Sequence, residues 1–265
     1  MKAVPDARVV LRPRGLLESC DLALRFMAIH AGAYTRVAVA YVLPAFVTLY
    51  VLRRWLRVDW EILWWIALAL SAFLEGPFTI LSGQLGLRSD AGVRQVSRAF
   101  ARRLVPYSLV LLGAALLQSL AVLLLVVPWL WAAPALVFAS EIVLLEGTGA
   151  GAMRRSRRLG TGFGYSSRAL GLVFLLAFIR VVCVVLAEVG LRNTVGVLLD
   201  LRLPVESMWN TGGSPYALVG LCASIPVCAG VRYMSYLDVR TRREGWDLQR
   251  RFHGLAERLA ERRAA

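Results

Sequence analysis

The sequence predicts an all-α integral membrane protein with six transmembrane helices. Of its 265 residues, 58% are hydrophobic, and the mean hydropathy is +0.62, whereas a soluble globular domain has about 45–50% apolar residues. These residues form long runs, each close to the roughly 20 residues that a helix needs to cross the bilayer core. The net charge of +14 is typical of nucleic-acid binding in a soluble protein. Here the topology assigns the arginines to a membrane surface, and we expect no nucleic-acid partner.

Six hydrophobic runs are long enough to span the bilayer. They are 34–52, 61–82, 104–127, 128–146, 169–189 and 215–237. No charged loop separates the third run from the fourth, and Pro128 and Pro134 interrupt a helix that would otherwise exceed 40 residues. We therefore place a tight turn at 128–129. These bounds predict a membrane domain over 1–237 and an amphipathic cytosolic tail over 238–265.

The distribution of basic residues predicts the orientation of the spans. If the N-terminus is cytosolic, the inner segments hold 25 of the 31 Lys and Arg residues, as expected because basic residues accumulate on the cytoplasmic side. Tryptophans, which favour the membrane interface, then lie at the outer ends. These are Trp55, Trp60, Trp64, Trp65, Trp129, Trp131 and Trp209. Both termini are therefore expected in the cytosol. The first 33 residues lack an uninterrupted apolar core, so no cleaved signal peptide is expected.

Three amphipathic segments are predicted to lie on the inner membrane surface as elbow helices, apolar side down and arginines toward anionic headgroups. Their apolar stripes are Leu17, Cys20, Leu24 and Met27; Val93, Val96, Phe100 and Leu104; and, more weakly, Met153, Ser156, Leu159 and Phe163. Ser89 or Asp90 is expected to cap the second. The arginines predicted to bind headgroups or a protein partner are Arg94, Arg98, Arg102, Arg154, Arg155, Arg157 and Arg158.

The chain contains an internal similarity. The segment AGVRQVSRAF at 91–100 aligns with AGAMRRSRRL at 150–159, and LEG occurs before each, at 74–76 and 145–147. We interpret this as three repeats, each an elbow helix followed by a membrane hairpin. The alternative is that elbow helices resemble each other in composition.

One glycine-rich stretch imitates a dinucleotide site, because Gly147, Gly149 and Ala152 fit the spacing G-x-G-x-x-G/A. Such a site needs a preceding strand and an acidic residue about 20 positions later. Here a membrane helix precedes Gly147, and 167–172 contains no acid. We expect these glycines to turn the chain sharply after the fourth span. The four cysteines and two histidines lack metal-ligand spacing, so no metal or cofactor is expected.

Ionisable residues inside the spans are candidate functional residues. Arg180 lies near the middle of the fifth span, and Glu75 and Glu141 lie within the second and fourth. We predict a buried pair between Arg180 and one of these two acids. The pair serves either a proton or substrate path or helix packing, and we favour packing because three charges are few for a path. Glu146 and Glu188, at the ends of spans, are expected to be solvated.

The C-terminal region places mixed charge below the last span. Its candidate residues are Asp238, Arg240, Arg242, Arg243, Glu244, Gly245 and Asp247. They pair with the arginine elbows or dock a partner. Arg232, near the inner end of the same span, fits a headgroup contact. The helix expected over the tail lies on the membrane, grips a partner or is simply solvated.

The segment YLDVRTRREGWDL at 236–248 resembles the closing motif Y-x-D-x-R-x-R-x-E-G-x-D-L of a group of bacterial inner-membrane proteins. These are similar to the membrane domain attached to some glycerophosphodiester phosphodiesterases and to stand-alone YciC-like proteins. The segments at 11–26 and 143–159 resemble the N-terminal elbow and the V-x-L-E-G segment of that group. The resemblance implies a six-span helical fold in a bacterial inner membrane, without a defined activity. The soluble phosphodiesterase domain has no counterpart in this sequence.

Three functions are considered. We expect a non-catalytic membrane subunit or scaffold that binds a protein partner on its cytosolic face. The second hypothesis is a carrier or lipid-handling protein that uses Arg180, Glu141 and Glu75. The third, an intramembrane enzyme, is disfavoured because the spans contain no Ser/His pair, no paired-His zinc motif and no aspartate pair.

Overall fold

The computed structural model describes residues 15–87, 91–124, 126–149, 151–161, 165–198 and 207–244, and no strand occurs in these ranges. The α-helices are α1 (Leu16–Ile29), α2 (Ala31–Arg54), α3 (Trp60–Leu87), α4 (Val93–Leu124), α5 (Val126–Leu136), α6 (Ala139–Glu141), α7 (Ala152–Gly160), α8 (Tyr165–Leu186), α9 (Arg192–Leu198), α10 (Met208–Thr211) and α11 (Pro215–Glu244). Two π-helices, π1 (Ile142–Glu146) and π2 (Ala187–Leu191), continue α6 and α8.

Within the described residues, six helical segments are long and apolar enough to cross a membrane. The chain is therefore an all-α, multi-pass membrane protein, as predicted. The segments are Ala31–Arg54, Trp60–Gly86, Val93–Leu124, Val127–Glu146, Ser166–Val195 and Pro215–Arg243. The boundary placed at 237 falls inside the last of these.

Two helices form the centre of the bundle. In α3 and α11, 67% and 72% of the most apolar stretch is buried, against 17% in α2 and α4 and 22% in α8. These two helices run in the same direction, because Trp60 packs against Gly213 at their starts and Gly86 faces the Tyr233 hydroxyl nearer their ends. We call the end at which α3 and α11 finish the elbow end, and α7 lies there because Arg243 donates a hydrogen bond to the Thr161 carbonyl at 2.6 Å.

The first predicted elbow exists as α1, and the structure shows which of its sides packs on the bundle. Ser19, Ala23 and Phe26 are buried against the bundle, whereas Leu17 and Leu24 of the predicted stripe are exposed. Small residues on the packed side permit close approach to the bundle, and the exposed Leu17 and Leu24 are compatible with the predicted membrane-facing stripe. Burial raises the pKa of the nearby Cys20 thiol, and the negative charge of Asp21 adds to this.

The second predicted elbow is not a separate helix. Its residues form the first three turns of α4, which continues without interruption to Leu124. Val96 and Phe100 of its apolar stripe are buried in the bundle, and Leu104 is exposed. The proposed caps Ser89 and Asp90 lie outside the described residues.

The fourth span differs most from the prediction. Since α4 ends at Leu124 and α5 begins at Val126, Pro128 lies in the first turn of α5, and the turn predicted at 128–129 is wrong. Proline is tolerated there because the first amide groups of a helix have no intrahelical acceptor. The span instead breaks at 137–138, before α6 and π1.

The third elbow, α7, follows a sharp turn. Gly147 ends π1 with a φ of 73°, a left-handed conformation that glycine adopts without strain. This confirms the interpretation of the glycine-rich stretch as a turn. At the other end of α7, Gly160 packs so closely that a Cβ would overlap the Pro134 carbonyl oxygen. In the predicted stripe, Ser156 and Leu159 are buried and Met153 is half-buried, whereas Phe163 lies outside the described residues.

The tryptophans divide into two groups. Exposed indoles at Trp55, Trp65, Trp131 and Trp209 are available to a membrane interface. Trp60, in contrast, is buried, with the Arg53 guanidinium 4.9 Å from its ring centroid. The Trp64 indole donates a hydrogen bond to the Gly212 carbonyl at 2.8 Å, and Trp129 packs against Phe174. These last three tryptophans serve packing within the bundle.

Candidate functional site

Four charged side chains from four elements meet inside the bundle. Glu75 comes from α3, Glu141 from α6, Arg180 from α8 and Arg232 from α11. Glu75 lies 15 residues after the start of α3 and 12 before its end, about 18 Å from that end at 1.5 Å per residue. Arg232 likewise lies 12 residues before the end of α11. The cluster therefore sits near the middle of the two central helices.

The four side chains form one alternating chain of charges. Arg180 Nη2 donates to Glu75 Oε1, and Arg232 Nη1 lies 2.7 Å from Glu75 Oε2. Arg232 Nε donates to Glu141 Oε1, and the Ser140 hydroxyl donates to Glu141 Oε2 at 2.9 Å. The order is thus Arg180, Glu75, Arg232, Glu141, with two positive and two negative charges. We call these four residues the buried network.

The buried network is nearly sealed from its surroundings. Both carboxylates are 0% exposed, and the Arg232 and Arg180 side chains retain 12% and 27% of their exposure. Removing one partner of such a cluster leaves an uncompensated buried charge, which typically costs about 3–5 kcal/mol. Two donors inside it, Arg180 Nε and Arg232 Nη2, have no hydrogen-bond partner among the described residues.

The sequence identified three of these four residues. It left open whether Arg180 pairs with Glu75 or Glu141, and the structure brings Arg180 to Glu75. Arg232 was expected at a lipid headgroup, and that expectation is wrong, because α11 extends well beyond the span predicted from hydropathy. One feature of the sequence could have indicated a continuing helix: Arg232, Tyr236 and Arg240 recur every four residues and therefore share one helix face.

A second cluster lies closer to the elbow end, around Glu146. This carboxylate accepts hydrogen bonds from Arg155 at 3.0 Å and from the Tyr236 hydroxyl, with Arg240 Nη1 3.5 Å away. Only 15% of the Glu146 side chain is exposed, so the expectation that it is solvated is wrong. Because Arg155 belongs to α7 and Tyr236 to α11, the cluster fastens the elbow helix to the central helix.

The π-helix explains how both acids of the fourth span reach α11. Glu141 and Glu146 are five residues apart, which in an α-helix would separate them by about 140° around the axis. Bonding of residue i to residue i+5 widens the turn and brings such positions closer to one face. Helix π1 covers Ile142–Glu146. The two acids therefore face the stripe of Arg232 and Tyr236.

The C-terminal charged motif is partly built into the same end of the bundle. Asp238 accepts a hydrogen bond from Arg242 at 2.9 Å and lies 3.9 Å from Arg168 of α8. Together with the bond from Arg243 to the carbonyl of Thr161, these contacts join α11 to α7 and α8. The remaining predicted positions lie outside the described part of the chain, namely the Glu244 side chain, Gly245 and Asp247.

The other predicted arginines remain on the surface. Six of the seven elbow arginines have exposed side chains, and in the described part of the chain none of the six makes a side-chain hydrogen bond or an ion pair. They are Arg94, Arg98, Arg102, Arg154, Arg157 and Arg158. We call these six residues the arginine face. Arg155 is the exception, because it is half-buried against Glu146.

At the opposite end, Glu188 organises the start of α11. Its carboxylate accepts hydrogen bonds from the Ser214 hydroxyl and, at 3.2 Å, from the Met208 amide, and Arg192 lies 3.0 Å away. The side chain is 1% exposed, so the expectation that it is solvated is wrong. Arg192 follows Glu188 by one helical turn, a spacing that favours an ion pair. This spacing is visible in the sequence and could have predicted the pairing of Glu188 with Arg192.

The carboxylates of the buried network are engaged within the bundle. Each already accepts a hydrogen bond from an arginine. Among the described residues, no group of three His, Cys, Asp or Glu side chains is arranged to hold a metal ion. Comparison of the chain with protein-family models, with curated proteins and with solved structures finds no match.

Proposed function

We propose that the protein is a non-catalytic subunit or scaffold of a bacterial inner-membrane assembly, with both termini in the cytosol and a protein partner bound at the elbow end. The observation that supports this most is the division of its charges. Charges inside the bundle are paired with each other, whereas the arginine face is exposed and, within the described part of the chain, unpaired. Paired buried charges serve packing, and exposed charges are available to a partner.

The experiment is purification of the tagged full-length protein from its native host in mild detergent, followed by mass spectrometry of co-purifying proteins. We expect a stoichiometric partner that is lost when 245–265 is deleted. The matched control is replacement of the exposed Arg54 and Arg57, at the other end of the bundle, by glutamine. A protein that purifies alone under all conditions contradicts the proposal.

A carrier or lipid-handling protein is the second candidate, and one observation favours it. Arg180 keeps 27% of its side-chain exposure, and its Nε has no acceptor among the described residues. A polar substrate bound beside Arg180 would supply the missing hydrogen-bond acceptor. Arg180→Leu distinguishes the two functions when transport is measured on the folded fraction. That fraction has lost transport if the protein is a carrier, whereas a scaffold shows only the loss of stability expected for the buried network.

A further inference from the structure

One face of α4 is exposed along its length. This face is basic over its first part and aliphatic over the rest. It begins with Arg94, Arg98 and Arg102, all exposed. It continues with the exposed aliphatic residues Val105, Leu109, Leu112, Leu116, Leu120 and Leu123. The mean spacing along this series is about 3.6 residues, the repeat of an α-helix, so all nine residues form one straight stripe.

The opposite side of α4 packs against the bundle. Val96, Phe100, Tyr107 and Val110 are buried there. The stripe therefore has no cover from the described part of the chain. Its aliphatic portion suits lipid tails, and the change from arginine to valine between Arg102 and Val105 is expected where a helix leaves the hydrocarbon core and enters the headgroup layer.

The two terminal segments outside the described residues do not favour pairing with the arginines of the stripe. Residues 1–14 contain four basic side chains and one acidic one, and 245–265 contains five basic and three acidic. Both segments are therefore net positive. An anion from outside the chain therefore complements Arg98 and Arg102 better than either terminal segment does.

We propose that this stripe of α4 docks anionic phospholipids, with their phosphates on Arg98 and Arg102 and their acyl chains along the leucines. An acidic soluble protein fits less well, because it would leave the aliphatic two-thirds of the same stripe uncovered. For an upright helix, successive arginines are about 6 Å apart, and the headgroup layer is roughly 5–8 Å deep on each side. Arg94 therefore lies beyond the phosphates and contributes least.

The test uses the full-length protein in nanodiscs of phosphatidylcholine and phosphatidylglycerol at equal amounts. Native mass spectrometry measures the ratio of the two lipids that the released protein retains. An arginine near an anionic surface contributes roughly a fivefold preference. We expect the phosphatidylglycerol excess to fall by about that factor for each residue in Arg98→Gln/Arg102→Gln, and by less in Arg94→Gln.

Two controls make the result specific. Arg54→Gln/Arg57→Gln removes two exposed arginines from the other end and should leave the ratio unchanged. Arg98→Lys/Arg102→Lys keeps the charge and should retain the lipid. An unchanged ratio in Arg98→Gln/Arg102→Gln overturns the proposal, as does loss of an acidic partner protein from that variant while the lipid stays. Deletion of 245–265 leaves Arg98 and Arg102 in place, so the co-purification experiment and the lipid ratio report separately on the two proposals.

Discussion

The buried network and the arginine face use the same side chain in opposite ways. Arg180 and Arg232 lie among helices and share two fully buried carboxylates. The six arginines of the arginine face are exposed and have no acidic partner in the described part of the chain. Charge inside a dry bundle must be compensated locally, whereas charge at a wet surface is available for binding. Position, and not residue type, therefore separates the paired arginines from the exposed ones here.

The largest expected effect is in the buried network. Arg232→Leu removes the guanidinium that joins Glu75 to Glu141, and among the described contacts leaves Glu141 with only the Ser140 hydroxyl. We expect a loss of about 3–5 kcal/mol in the free energy of unfolding, measured by titration with SDS in bicelles. A loss below about 1 kcal/mol would mean that the network is wet or unimportant for packing.

A smaller effect is expected where α7 packs on α5. Gly160→Ala places a methyl group against the Pro134 carbonyl, and such overpacking typically costs about 1–3 kcal/mol. Gly149→Ala is the matched control, because open space surrounds that position. The same SDS titration compares them. Equal stability of the two variants would show that α7 is not fixed against the bundle.

A smaller loss of stability is expected for the hydrogen bond between Tyr236 and Glu146, which helps to fasten α7 to α11. Tyr236→Phe removes one hydrogen bond to Glu146 while Arg155 and Arg240 remain. We expect a loss of about 1 kcal/mol, together with faster proteolysis in the turn before α7. Proteolysis at the wild-type rate would indicate that the Glu146 cluster does not hold the elbow helix.

The smallest effect on stability is expected at the arginine face itself. Arg157→Gln/Arg158→Gln should change the free energy of unfolding by less than about 0.5 kcal/mol, because exposed side chains without partners contribute little. Binding of a partner should fall in the co-purification experiment. A large loss of stability would contradict the division between the two regions.

Hydropathy and charge predicted the helical class, the six membrane segments and three of the four residues in the buried network. These predictions succeed because any helix that spans the bilayer must be long enough and apolar enough to cross it. The turn after Gly147 was also predictable, because few residues other than glycine adopt its conformation easily.

Other features depend on contacts that the sequence does not display. Arg232 was misplaced because hydropathy marks where a span becomes polar and not where the helix ends. Glu146 and Glu188 were expected in solvent because the partners that bury them, Tyr236 and Ser214, are distant in sequence. Proline at position 128 suggested a turn, although the first turn of a helix accepts it.

The central claim is that the buried charges exist to compensate one another. The most direct test is a double-mutant cycle on Arg232 and Glu141, with unfolding free energies measured in bicelles. We predict that Arg232→Leu/Glu141→Leu loses less unfolding free energy than the sum of the two single losses, by about 1–3 kcal/mol, because the double variant leaves the neutral pair of Arg180 and Glu75. If the loss of unfolding free energy in the double variant equals the sum of the two single losses, the two charges act independently and the account is wrong.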